Sequence, residues 1–255
     1  MRIKTVVVIP DMQIPYHDLT AINNLIEFVS DFDPDHLVNV GDDVDSPETA
    51  RWNKGYATEY AGTLQEGFDQ ARMIHAAFRD AIGDKPYFVS RSNHGDRTAA
   101  YIKRYAPALS GLRSLDLAAL VGYKELGIHY KTEPFLVAPD WVCAHGDEGS
   151  LSPIAGRTAG LLAAKWGVSV VCGHSHRAGI QPTSYGFGGV VHRTVYGMEV
   201  GHLMSMKAAH YLKGGHGNWQ QAFGILYVHG VRVTPVLIPI HSDGSFVVEG
   251  VQYGL

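Results

Sequence analysis

Hydrophobic positions along this chain change their period several times, and each change marks an element. Residues 5–9, Thr-Val-Val-Val-Ile, form a β-branched run that reads as a buried strand ending near Asp11. Leu19, Ile22, Leu25, Ile26 and Val29 then recur at helical spacing. A second strand over 36–40 ends at Gly41-Asp42, and Leu64, Phe68, Ala71, Ile74 and Phe78 share one face of a longer helix closed by Gly83. Residues 87–90 make a third strand leading into Asn93-His94. The stretch 105–130 reads as helical and is expected to cap the strand ends. Strand patterns return at 135–138 and 141–144, the second ending at His145. A helix over 154–166 precedes a strand over 168–172, which stops at Gly173-His174-Ser175-His176.

Past residue 176 the pattern changes. Runs at 190–196, 222–229, 231–240 and 245–251 read as meandering strands separated by Gly and Asp-Gly turns. Residues 208–218, with Gly214-Gly215, read as a loop or short helix near the strand ends. No repeat, low-complexity stretch or linker interrupts the chain, so one domain over 1–255 is expected, with a β-hairpin region from about 218 to 255. Alternating βα units followed by hairpins predict an α/β fold: a two-sheet β-sandwich flanked by helices, not a doubly wound sheet.

Composition narrows the class. An apolar content of 45% with 18% charged residues excludes a disordered chain. A net charge of −4 argues against a protein that coats nucleic acid non-specifically, while leaving room for a local basic groove. No apolar stretch reaches the length of a membrane span, so no membrane partner is expected. The N-terminus runs at once into the first strand, with no secretory h-region. Cys143 and Cys172 each sit inside an apolar run and read as buried thiols of a reducing compartment. The expected location is cytoplasmic, in the host cytoplasm if a phage encodes the chain.

The chemistry sits in five short segments, each just after an apolar run: Asp11-Met12-Gln13, Gly41-Asp42-Asp43, Asn93-His94, His145-Gly146-Asp147 and Gly173-His174-Ser175-His176. Carboxylate, carboxamide and imidazole groups gathered at strand ends are the ligands that two divalent metal ions require. The order of these blocks resembles that of the calcineurin-like metallophosphoesterase superfamily, over about residues 5–200. The tail, from Gly217-Asn218-Trp219 through Val236-Leu237-Ile238-Pro239-Ile240, is similar to a phage- and prophage-type branch of it.

The resemblance implies an αββα fold and a dinuclear centre that hydrolyses phosphate esters by in-line attack of metal-activated water. Asp42 would bridge the two ions. Asp11 and His176 would complete one shell, and Asn93, His145 and His174 the other. Mn²⁺ suits this set best; Fe, Mg²⁺, Zn²⁺ and Ni²⁺ are compatible, and the lack of thiolate disfavours a structural zinc. His94 would protonate the leaving group.

Two positions depart from the family pattern. Gln13 stands where the first block usually carries a second His; its carbonyl is a weaker donor, or its amide hydrogen-bonds metal-bound water, and His17 is a candidate substitute or substrate group. In Asn93-His94-Gly95-Asp96 the acidic residue is displaced by one, and Asp96 is expected to orient His94, with Asp45 read as a turn or helix cap. Arg91 and Arg97 flank this block as candidate phosphate ligands, and Arg177 follows the last block.

The stretch Gly41-Asp42-Asp43-Val44-Asp45-Ser46-Pro47 lacks the Arg that protein serine/threonine phosphatases carry there, although Arg91-Ser92-Asn93-His94 is close to their third block. A diester bears one negative charge fewer than a monoester dianion and asks for fewer Arg contacts. The favoured activity is therefore a phosphodiesterase acting on nucleotides or nucleic-acid phosphodiesters. The alternatives are a phosphomonoesterase (a protein phosphatase included), a DNA nuclease or a non-catalytic scaffold. A homo-oligomer is compatible with the sequence.

Overall fold

Val6 and Val8 leave the first strand on one side and Val7 and Ile9 on the other, and both sides are buried. This double burial places the strand in the middle of a layered molecule. The structure is a computed structural model describing residues 2–208 and 217–254. The first sheet is built from β1 (Lys4–Ile9), β2 (His36–Asn39), β3 (Tyr87–Ser90) and β4 (His129–Lys131), all parallel, with β10 (Ala222–His229) and β11 (Arg232–Pro239) added antiparallel at the β1 edge. Its order is β11-β10-β1-β2-β3-β4. The second sheet holds β5 (Phe135–Ala138), β6 (Trp141–Cys143), β7 (Ser169–Cys172), β8 (Ala178–Phe187) and β9 (Val190–Val200), in the order β5-β6-β7-β9-β8. Strands β12 (Phe246–Val248) and β13 (Val251–Tyr253) form a separate small hairpin.

Three apolar layers follow from the alternation. Val6, Val8, Val38 and Val40 meet Trp141, Val171, Met198 and Val200 between the sheets. On the outer face of the first sheet, Val7, Ile9 and Val89 meet α1 (Leu19–Phe32) and α2 (Leu64–Ile82) through Ile22, Leu25, Phe28, Phe68, Ile74 and Phe78. On the outer face of the second sheet, Val170, Cys172 and Val195 pack on α5 (Arg157–Trp166) through Ala159, Leu162 and Ala163. The layering is the expected helix–sheet–sheet–helix sandwich. No helix of the described residues is long and apolar enough to cross a membrane.

Helix ends are fixed by named groups. Asp18 Oδ1 accepts from the Thr20 and Ala21 amides at 3.1 and 3.2 Å, capping α1. The fully buried Glu199 carboxylate, on β9, accepts from the amides of Gly156 and Ala159 at the start of α5, at 2.9 and 3.2 Å. The same helix can approach β9 because Gly197 faces Gly160: a Cβ on Gly197 would fall 2.0 Å from the Gly160 nitrogen.

Three expectations are corrected, and one strand was not expected. The helix expected over 154–166 begins only at Arg157, because Gly156 takes a left-handed φ of 77°. The strand expected over 245–251 is a hairpin, turning at Glu249 (φ 50°) and Gly250 (φ 83°). Strand β8 was not read from the sequence at all; its Gly, Pro and polar residues suit a half-exposed edge strand and hide the period. The stretch 105–130 is not a separate cap. After α3 (Arg97–Tyr105) it makes short turns and α4 (Leu117–Val121), and then buries Val121, Tyr123 and Ile128 in the core beside α2. Most of 208–218 lies outside the described residues.

Candidate metal centre

The five blocks converge because each follows the carboxyl end of a parallel strand: Asp11 after β1, Asp42 after β2, Asn93 after β3, His145 after β6, and His174 and His176 after β7. The chain bends sharply there. Gln13, Asp42, His174 and His176 all have left-handed φ, of 57°, 49°, 64° and 56°. Such conformations are uncommon for residues with a Cβ and cluster where a site over-determines the backbone. The first two loops are stitched together by Gln13 N–H to Asp42 O at 2.8 Å and Ile14 N–H to Asp43 O at 2.9 Å.

Asp42 is the hub. Its Oδ1 lies 3.4 Å from His145 Nε2 and accepts from the His94 amide at 3.1 Å. Its Oδ2 accepts from Gln13 Nε2 at 3.1 Å. Thus one oxygen faces His145 and the other faces Gln13, which itself lies 3.2 Å from His176 Nε2. On the Gln13 side, Asp11 Oδ2 is 3.4 Å from His176 Nε2 and accepts from the His174 amide at 2.8 Å. On the other side, His145 Nδ1 donates to Val40 O at 2.9 Å, which fixes the ring and turns Nε2 toward Asn93 Oδ1, 2.9 Å away. Asp42, His145 and His174 offer ligand atoms all within 4.8 Å of one another.

Electrostatics fit a cation here. Asp11 and Asp42 are buried, and among the described residues Asp11 Oδ1 has no hydrogen-bond partner. Burial and the neighbouring Asp42 charge hold the Asp11 carboxyl well above the usual carboxylate range. For Asp42, burial is outweighed by His145 and His94, which keep it well below that range. His145 is pushed up to about 10: burial opposes its charge, but the neighbouring Asp42 carboxylate overcomes burial. Burial pushes His176 down to about 3, so the ring is neutral at pH 7 and one of its nitrogens offers a lone pair. Carboxylate, imidazole and carboxamide donors with an unpartnered buried oxygen are what divalent cations take up. The two cysteines stand apart from this chemistry, because burial pushes both thiols up.

Around His94 the arrangement differs from expectation. Asp45, read as a turn residue, puts Oδ1 2.8 Å from His94 Nδ1. Asp96 does not orient His94: its carboxylate lies 2.6 Å from Arg91 Nη2 and accepts from Arg91 Nε at 2.8 Å. Arg91 also donates to both oxygens of Asp147, at 2.9 and 2.7 Å. Arg97 donates to His94 Nε2 at 2.6 Å and lies 3.0 Å from Asp45 Oδ1. Both candidate phosphate-binding guanidinium groups are therefore already paired with carboxylates. Arg177 Nη1 donates to Ser175 O at 3.2 Å. His17 pairs with Met204 across an isolated bridge, and among the described residues no hydrogen bond or ion pair joins it to the seven candidate ligands.

Two groups escaped the sequence reading. His202 is fully buried with its ring 5.2 Å from that of His176; its Nδ1 accepts from the Met204 amide, and among the described residues its Nε2 has no partner. The signal was present, since Gly201-His202 follows a strand as the other blocks do. Asp43 turns away from Asp42 into the core, where Oδ2 meets His75 Nε2 at 2.8 Å and the Tyr123 hydroxyl, while His75 Nδ1 reaches the Tyr87 hydroxyl at 2.7 Å.

No protein-family model matches the chain. It is 38% identical to the gene 54 protein of Mycobacterium phage D29 over 250 residues, covering 97% of both chains. It is 36% identical to the gene 54 protein of Mycobacterium phage L5 with the same coverage. Among solved structures, Vps29 of Cryptosporidium parvum is 13% identical over all of both chains with a TM-score of 0.49. Vps29 of Chaetomium thermophilum is 13% identical over 98% of both chains, also with a TM-score of 0.49. The chain belongs to the family of the mycobacteriophage gene 54 proteins.

Proposed function

We propose that this protein hydrolyses phosphate esters at a dinuclear metal centre, and that its substrates are phosphodiesters of nucleotides or nucleic acid. The observation that carries the reading is Asp42, a buried carboxylate whose two oxygens face two separate groups of candidate ligands. Asp11, Gln13 and His176 would hold one ion with Asp42, and Asn93, His145 and His174 the other, with Mn²⁺ the best-suited metal. When bound, two such ions activate water at neutral pH and neutralise charge on the phosphoryl group.

The chain's own residues supply the rest. His94 delivers a proton to the leaving oxygen from Nε2, and Asp45 beside Nδ1 holds the ring and offsets its positive charge. Arg97 occupies Nε2 in this structure. An arriving phosphate oxygen would compete for that guanidinium, leaving Nε2 free to take up from solvent the proton that it then gives to the leaving oxygen. Arg91 is held by two carboxylates. This supports a diester over a monoester, whose second negative charge would call for another unpaired cation. Two buried free thiols agree with a reducing cytoplasm, in a phage-infected host.

The test is a pair of chromogenic substrates, a diester and its matching monoester, offered to metal-stripped protein re-supplied with Mn²⁺. The diester should turn over faster, by roughly tenfold or more. A monoester preference contradicts the substrate assignment, and silence on both contradicts catalysis.

A further inference from the structure

Beside His94 the surface carries aromatic rings that the fold does not bury. Trp52 is 57% exposed, Tyr56 69% and Tyr60 74%, all on the loop of short 3₁₀ turns between β2 and α2. Large rings left exposed on one loop are available to an external partner. The loop is stapled in place. Lys54 pairs with Glu59, the Tyr101 hydroxyl donates to the same Glu59 carboxylate, and Arg97 Nη1 donates to Asp45 O at 2.5 Å. The rings are therefore presented on a fixed support from α3, not on a free tip.

Charge selects the partner. The Arg51 guanidinium lies 5.7 Å from the Trp52 ring centroid, and that of Arg97 lies 4.8 Å from it. Exposed Lys103 and Arg104 follow on α3, and no ion pair joins Arg51, Lys103 or Arg104 to a carboxylate among the described residues. The acidic groups of the loop are spent: Glu48 is buried, and Glu59 is held by Lys54 and Tyr101. Aromatic faces interleaved with cations are the makeup of a surface that stacks bases and neutralises phosphates of single-stranded nucleic acid.

Position links this surface to the site. Arg97 touches both the Trp52 ring and His94 Nε2, so a single guanidinium separates the platform from the proton donor. We propose that Trp52 is a base-stacking platform for an unpaired nucleotide of the substrate, with Arg51 and Arg97 on its phosphates. The strand would then be directed toward Asp42 with its bases turned out. The assignment rests on the phosphodiesterase reading for its catalytic meaning, though not for binding itself.

The experiment has two arms. In the first, a fluorescently labelled oligothymidylate is titrated with metal-free protein at low salt. Wild type should bind, Trp52→Ala should weaken binding about 5- to 100-fold, and Trp52→Phe should retain most of it. In the second, Mn²⁺-loaded protein is given thymidine 5′-(4-nitrophenyl) phosphate and methyl 4-nitrophenyl phosphate, which share a leaving group and differ in the base. The ratio of their kcat/KM values should fall by a similar factor in Trp52→Ala.

An unchanged ratio with both substrates hydrolysed overturns the platform and leaves the hydrolase standing. If neither is hydrolysed the hydrolase reading fails, and the binding arm alone decides the platform. Wild type that ignores the oligonucleotide, as a protein-docking surface would, or Trp52→Ala that binds it as well as wild type, overturns the proposal.

Discussion

At the scale of single residues, the site depends on atoms that are absent as much as on those present. Gly173 has room for no side chain: a Cβ there would lie 1.9 Å from Asp11 Oδ1 and 2.6 Å from Val40 Cγ2. Gly173→Ala should therefore displace the Asp11 carboxylate and weaken divalent-metal binding at least about tenfold, with far-UV circular dichroism unchanged. Metal affinity equal to wild type would contradict the placement of Asp11. The convergence of the five blocks was legible in the sequence because each block is local, a polar cluster directly after an apolar strand. The pairing of His94 was not. Asp45 lies far from His94 in the chain, and only the meeting of the β2 and β3 loops brings the two together, while the nearer Asp96 is drawn to Arg91. Nor could the sequence show that Arg91 was already occupied by Asp147 from the other sheet.

At the scale of elements, helix α2 does more than cover the first sheet. His75, fully buried on it, ties the Asp43 carboxylate to the Tyr87 hydroxyl of β3, and Tyr123 closes the network. Asp43 adjoins the hub residue Asp42, so this network anchors the loop that carries it. Removing His75 leaves the Tyr87 hydroxyl without this partner and the buried Asp43 carboxylate with only Tyr123 from the network. His75→Ala should cost about 2–5 kcal/mol in chemical denaturation. A loss below about 1 kcal/mol would mean that the network relaxes freely. The helices were legible because α1 and α2 keep a strict apolar face; of the residues that defined it, only Leu19, at the open first turn, is strongly exposed. Strand β8 was not legible, since a half-exposed edge strand containing Pro182 carries no alternation to read.

At the scale of the whole molecule, the two sheets present the carboxyl ends of their parallel strands at one rim, the place where open α/β sheets bind ligands. A groove lies elsewhere. It holds about 550 Å³ between the sheets near Lys4, His36, Leu136 and Val228, at or near the opposite ends of β1 and β2. The candidate centre is defined by its convergent chemistry. It also spans the sandwich: Asp11, Asp42 and Asn93 come from the first sheet, and His145, His174 and His176 from the second. The two-sheet class was legible from the change between βα units and hairpins. How the late strands divide was not, because β9 joins β7 in the second sheet while β10 and β11 extend the first, a choice made by long-range pairing.

The central claim is that Asp42 serves two ions at once, and isothermal titration of Mn²⁺ into metal-stripped protein tests it most directly. Wild type should take up two equivalents, and Asp42→Asn should weaken both, because each oxygen of the carboxylate faces a different ligand group. Two equivalents bound by the variant at wild-type affinity would contradict the account.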